Sequence, residues 1–65
     1  MLQKRICIYA KDIQLITGRT ERYGNKLLVK IRKHLKKETH HLVTINEFCE
    51  YTGLRISEVM TYIKD

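Results

Sequence analysis

The chain has 65 residues, which is enough for one domain, and 43% hydrophobic with 31% charged residues is the composition of a folded protein rather than a disordered one. The absence of proline and the presence of only three glycines favour helices over a turn-rich sandwich, and a net charge of +6 fits a polyanionic partner. No apolar run is long enough to span a membrane and no stretch resembles a signal peptide, so we expect a cytoplasmic protein with free thiols at Cys7 and Cys49.

The charge is divided unevenly along the chain. Residues 1–45 carry 11 Lys and Arg against three acids, a balance of +8, whereas residues 46–65 carry two against four, a balance of −2. We therefore describe residues 1–65 as a single domain with two halves, a basic half (1–38) and an acidic-apolar half (40–65). Such a split predicts that the first half binds phosphate and that the second half serves packing or dimerisation.

The basic half opens with a pattern of strand, short helix and turn. Ile6–Tyr9 is rich in β-branched and aromatic residues, which predicts a short strand. Asp12 is then predicted to cap a helix over residues 13–16, which ends at Thr17-Gly18 because glycine is the usual residue just past a helix end.

The acidic-apolar half repeats that pattern. Residues 42–45 predict a second short strand, antiparallel to the first, Asn46 is predicted to cap a helix that ends at Thr52-Gly53, and Ser57 to cap a last helix through Ile63. An offset of 35 aligns Ile8 with Val43, Asp12 with Glu47, Ile13 with Phe48, Ile16 with Tyr51, and Thr17-Gly18 with Thr52-Gly53. An internal repeat and convergence on the same turn chemistry both explain this alignment. The expected fold is mostly α, a helix-turn-helix bundle of four to five helices with two short β-strands.

Between these segments Thr20 is predicted to cap a long helix over residues 21–37 with two different faces. The core face consists of Gly24, Leu27, Leu28, Ile31 and Leu35, within an arc of about 100°. The opposite face carries Arg22, Lys26, Lys30, Lys33 and Lys37, within about 80°. Because like charges one turn apart repel and solvated faces usually mix both signs, this face favours phosphate binding. The alternatives are an ordinary solvated face and a membrane-surface helix.

Residues 12–28 resemble the helix-turn-helix of small bacterial DNA-binding proteins. Gly18 matches the glycine of the turn and Gly24 the small residue where the two helices cross; the packing positions are matched by Ile13, Ile16 and Leu28. The resemblance implies that the helix from residue 20 to residue 37 enters the major groove. The DNA-binding residues it implies are Arg19, Thr20, Arg22, Tyr23, Asn25, Lys26, Lys30, Lys33 and Lys37. Arginine suits guanine, asparagine suits adenine, and the last three lysines suit phosphates.

The second half matches the same pattern over residues 47–59, with Val59 at the position of Gly24. Its surface is unsuited to DNA because Glu47, Glu50 and Glu58 would face phosphates, so we interpret it as a packing partner or a dimer surface. The predicted function is that of a small transcriptional regulator or an accessory factor of a mobile element, which binds double-stranded DNA as a homodimer. The alternative is a protein-interaction or dimerisation module with no nucleic-acid role.

Catalytic and metal chemistry find little support in the sequence. Cys7, His40, His41 and Cys49 match no zinc-binding spacing, and no Cys-x-x-Cys pair is present. A helical chain of this length has little room for an enclosed pocket, and it contains no glycine-rich phosphate loop. We therefore expect no enzyme activity, no catalytic or metal-binding residue, no cofactor and no small-molecule substrate.

Overall fold

The computed structural model describes residues 6–63, which contain four helices. In chain order these are α1 (Ala10–Thr17), α2 (Glu21–His34), α3 (Ile45–Thr52) and α4 (Ile56–Met60). Three-residue turns join α1 to α2 and α3 to α4. The prediction of a small, mostly helical bundle is confirmed.

The two predicted strands, Ile6–Tyr9 and Leu42–Ile45, do not form in the described part of the chain. A single antiparallel bridge joins Cys7 to Thr44. Ile8 N donates to Val43 O at 3.0 Å, and Ile45 N donates to Ile6 O at 2.8 Å. The strand prediction was wrong because Tyr9 and Thr44 are already the N-cap residues of α1 and α3, so each extended segment ends after one bridging pair.

Both short helices begin earlier than predicted. Their N-caps are Tyr9 and Thr44, not Asp12 and Asn46. Asp12 lies in the first turn of α1, where its Oδ2 accepts from Tyr9 N at 2.9 Å. In α3, Glu47 Oε1 accepts from Thr44 N and Thr44 Oγ1 accepts from Glu47 N, both at 3.0 Å, which is the reciprocal pattern of a capping box.

The same two helices end as predicted, at a Thr-Gly pair. Gly18 and Gly53 adopt left-handed conformations, with φ of 75° and 80°, which glycine enters without steric penalty. The hydroxyls of Thr17 and Thr52 each donate to the carbonyl four residues before, at 2.7 and 2.8 Å. The chain therefore leaves α1 and α3 with the same local geometry.

The long helix starts as predicted and ends three residues early. Thr20 Oγ1 accepts the backbone N–H three residues on, at 3.1 Å, and so caps α2. The helix stops at His34 instead of Lys37, because Lys36 takes a left-handed φ of 60° and Lys37 N donates to Arg32 O at 2.8 Å. This is a Schellman ending with lysine in the place usually held by glycine, so the sequence carried no stop signal.

The last helix is shorter than predicted. It begins after Arg55, which is the N-cap in place of Ser57, and it ends at Met60 instead of continuing to Ile63. Ile63 nevertheless lies in the core.

The core draws on both halves. Its buried apolar residues are Ile8, Ala10, Ile13, Leu28, Ile31, Val43, Ile45, Phe48, Cys49, Val59 and Ile63. Ile13 of α1 and Phe48 of α3, which the offset of 35 aligns, are both completely buried. The halves therefore stabilise each other by sharing one apolar cluster.

Candidate nucleic-acid interface

The close packing of α2 on α1 fixes which face of α2 meets solvent. Gly24, Leu28 and Ile31 are buried on the inner face of α2. A Cβ added at Gly24 would lie 2.7 Å from the backbone oxygen of Ala10, so only glycine fits without a shift of the backbone. Gly24 thus occupies the close helix crossing predicted for it, and the opposite side of α2 points away from the core.

The outward side of α2 is strongly basic. We define its cationic face as Arg22, Lys26, Lys30 and Lys33, all of which are exposed, as is the adjacent Asn25. Within residues 6–63 none of the four cations forms an ion pair with an acidic side chain. Four of the residues predicted to contact DNA therefore share one exposed, positively charged surface.

Three further predicted contacts lie at the start of α2 in more specialised positions. Arg19, in the turn, places its guanidinium carbon 4.5 Å from the centre of the Tyr23 ring, a cation–π arrangement. Tyr23 is itself half-buried against the core. The hydroxyl oxygen of Thr20 is occupied as the helix cap. Arg19 is thus held beside the cationic face by its stack on Tyr23. Thr20 caps α2, as predicted.

Lys37 does not lie on the cationic face. Because α2 ends before it, its Nζ reaches Glu47 Oε1 at 2.7 Å and Leu42 O at 2.9 Å. The hydrogen bond from Lys37, followed by that from Thr44 N, holds the pKa of Glu47 below its usual value of 4.5. The prediction that Lys37 belongs to the helix face was wrong; this residue ties the basic half to α3.

The segment between α2 and α3 is attached to the side of α2. Arg32 Nε donates to His41 O at 2.8 Å, and the rings of His40 and His41 meet edge to face at 4.6 Å. Arg32 is half-buried, unlike the exposed side chains of the cationic face. The connector therefore occupies one flank of α2 and leaves the cationic face uncovered.

One exposed residue of this surface was missed from the sequence. Val29 has 44% of its surface exposed and lies at the edge of the cationic face, about 20° around the axis from Arg22 on the side of Asn25. The helical positions alone could have found it, because the same angular count that groups the lysines places Val29 next to Arg22, at the edge of that group.

The second half offers no equivalent surface. At the offset of 35, the residue equivalent to Arg22 is Ser57 and the residue equivalent to Lys26 is Thr61. The residue equivalent to Tyr23 is Glu58. All three of these side chains are exposed. The corresponding helix α4 is only five residues long. Similar local geometry thus carries a neutral to acidic surface here.

The described residues do not form a metal site, a disulfide or a membrane-spanning helix. Among residues 6–63, no three His, Cys, Asp or Glu side chains are grouped so that they could hold a metal ion. Cys7 and Cys49 are not joined, and burial raises the pKa of the Cys49 thiol. In the same part of the chain, no helix combines the length and the apolar character needed to cross a membrane.

No protein-family model, no curated protein and no solved structure matches this chain.

Proposed function

We propose that this protein binds double-stranded DNA through α2, with the cationic face directed into and along the major groove. The observation that carries the proposal is the cationic face itself: four exposed Lys and Arg side chains on one side of one helix, without ion pairs in the described chain. Repulsion between neighbouring cations disfavours such a face in isolation, and a row of phosphates removes the repulsion.

The surroundings of α2 support the same function. A short helix, a three-residue turn containing glycine and a longer helix follow one another in the order found in helix-turn-helix proteins, where the longer helix is the recognition helix. The guanidinium group of Arg19 can form two hydrogen bonds with guanine, and the side-chain amide of Asn25 can form two with adenine. Lys30 and Lys33 lie further along and suit phosphates, which fix position without reading sequence.

We further propose that the protein acts as a homodimer, as a small transcriptional regulator or as an accessory factor of a mobile element. One recognition helix makes few base contacts, and paired half-sites supply the specificity that a single unit lacks. The second half exposes Tyr51, Leu54, Ile56 and Tyr62, which is apolar surface that dimerisation would bury. Sedimentation equilibrium with and without DNA should reveal a dimer, and a monomer under both conditions would contradict this part of the proposal.

The DNA-binding test is a fluorescence-anisotropy titration of random-sequence duplex at a low and at a physiological salt concentration. The wild type should bind at low salt and weaken steeply, with a log–log slope of about −3.6 if all four cations meet phosphates. The variant Lys26→Glu/Lys30→Glu/Lys33→Glu should stay folded and lose binding.

A charge-matched control separates the face from the overall charge. Lys11→Glu/Lys36→Glu/Arg55→Glu changes the net charge equally, at three exposed positions off the cationic face. It should retain salt-dependent binding. Equal loss in both variants would show that net charge alone attracts DNA, and no binding by the wild type at low salt would end the DNA proposal.

A protein-interaction module is the second candidate function, and one observation favours it. A cleft of about 380 Å³ opens between α1 and α4, lined by Ile16, Leu54, Val59 and Tyr62 among others. The polar residues Ser57, Glu58 and Thr61 complete its lining, and a cleft with both apolar and polar groups suits a side chain of a partner protein. If the duplex titration fails, this cleft is the surface to test by substitution.

A further inference from the structure

An apolar side chain borders the cationic face and lies outside the core cluster. Val29 is 44% exposed and does not belong to the core cluster or to the residues packed against it. Asn25 precedes it by one turn and Lys33 follows it by one turn, and both are exposed. Val29 therefore lies at the edge of the cationic face, between Asn25 and Arg22 around the helix axis.

Valine suits a solvated helix position poorly. Its branched Cβ loses rotamer freedom in a helix, and alanine or lysine there would favour the helix more. The exposed part of an apolar side chain gains no hydrophobic stabilisation from the core. The position is better explained by an apolar contact made with the partner of the cationic face.

The major groove contains one apolar group on its base edges, the C5 methyl of thymine. We infer that Val29 contacts a thymine C5 methyl group, and so makes that base a determinant of the sequence bound by α2. The inference rests on the proposed function, because it requires α2 to lie in the major groove.

Asn25 extends the inference to a pair of bases. Four residues of helix cover about 6 Å, and successive base pairs are about 3.4 Å apart, so Asn25 and Val29 address positions one or two base pairs apart. Asparagine recognises adenine through two hydrogen bonds. The bound site should therefore contain an adenine and a thymine at that spacing.

The test begins with selection of sites from a random-sequence duplex library by the wild-type protein. Each thymine of a selected site is then replaced singly by deoxyuridine, which removes only the C5 methyl, and dissociation constants are measured by anisotropy. One replacement should weaken wild-type binding about three- to tenfold, as expected for one methyl contact at a partly exposed side chain. Val29→Ala should bind the thymine and uracil duplexes equally.

Two controls make the result specific. Val29→Ala should keep its helical circular dichroism, because alanine favours the helix, and Leu15→Ala, at an exposed apolar residue of α1, should keep the wild-type preference for thymine. A cytosine and a 5-methylcytosine at the sensitive position distinguish the methyl group from the base pair. The wild type should prefer the methylated base, and Val29→Ala should not.

The outcomes separate this inference from the proposed function. Sites without a methyl-sensitive thymine, or an unchanged preference in Val29→Ala, would overturn the inference while DNA binding stands. Absence of any salt-dependent duplex binding by the wild type would overturn both.

Discussion

Residues 8–28 and 43–63 follow one local pattern at an offset of 35, but only the first segment contains the start of a row of exposed cations, which continues along α2 to Lys33. The shared features are structural: a buried residue before the helix, an acid in its first turn, a left-handed glycine after it. Arg22 and Ser57, which differ in charge, both face solvent. Buried and capping positions thus determine the local geometry in both halves, whereas the solvent-facing positions of α2 carry the difference in charge.

The equivalent positions 24 and 59 show how far the correspondence extends. Gly24 lies against the backbone of Ala10, whereas Val59 is completely buried in the core. The same place in the two patterns therefore has opposite size requirements. In the first half the two helices approach closely, and in the second half a side chain fills the space.

The largest expected effects come from substitutions at these two equivalent positions. Gly24→Ala should destabilise the protein by about 2 kcal/mol, because the clash with Ala10 O outweighs a gain of about 1 kcal/mol in helix propensity. Val59→Ala should cost about 2 kcal/mol through lost burial and the cavity it leaves. Both values come from urea unfolding followed by circular dichroism.

Asn25→Ala provides the matched control for the first change, because it adds helix propensity at the exposed neighbour of Gly24. It should leave stability equal or slightly raised. If Gly24→Ala stabilised the protein as much as propensity alone predicts, the close approach of α1 and α2 would be contradicted.

A smaller effect concerns the N-caps of α2 and α4, which also occupy equivalent positions. Thr20 Oγ1 accepts from Tyr23 N, whereas Arg55 makes no side-chain cap. Thr20→Ala should cost about 1 kcal/mol, and Arg55→Thr should add up to about 1 kcal/mol by supplying the missing acceptor. The same unfolding experiment measures both, and equal changes in the same direction would show that the caps are not what distinguishes the two helices.

The smallest effect concerns the ion pair that joins the halves, Lys37 with Glu47. Because the folded protein holds the pKa of Glu47 below its usual 4.5, the carboxylate adds stability above pH 4.5, and this is lost as the pH falls through the folded-state pKa. Glu47→Gln should remove this part of the acid dependence, with a difference of at most about 1 kcal/mol at neutral pH.

Unfolding curves at neutral pH and at successively lower pH provide the measurement. Glu50→Gln, an exposed acid on the same helix, is the control and should keep the wild-type dependence. A Glu47→Gln protein that lost stability with acid exactly as the wild type does would rule out this contact as a pH-dependent link between the halves.

Much of the local structure could be predicted because it depends on residues close in sequence. The Thr-Gly endings, the Thr20 cap and the crossing at Gly24 all follow from side-chain size and backbone freedom, and the structure contains them. The capping box from Thr44 to Glu47 had a sequence signature as well and was overlooked in favour of a strand.

The rest depends on contacts between distant residues. Residues 6–9 and 42–45 have strand-like composition, but the helices that follow them begin too early for a ladder to form. The end of α2 depends on a lysine in a left-handed conformation, which no sequence rule favours. Lys37 then pairs with α3, a contact that the helical periodicity of α2 could not reveal.

The most direct test of the central claim is an amide NMR titration of the labelled wild-type protein with random-sequence duplex at low salt. The account predicts that the largest shift changes follow α2, at Arg22, Lys26 and Lys33, that they reverse as salt is added, and that Ser57 and Thr61 of the second half stay unmoved. Changes concentrated on α4 and the turn before it, or no changes at all, would contradict the assignment of DNA binding to the cationic face.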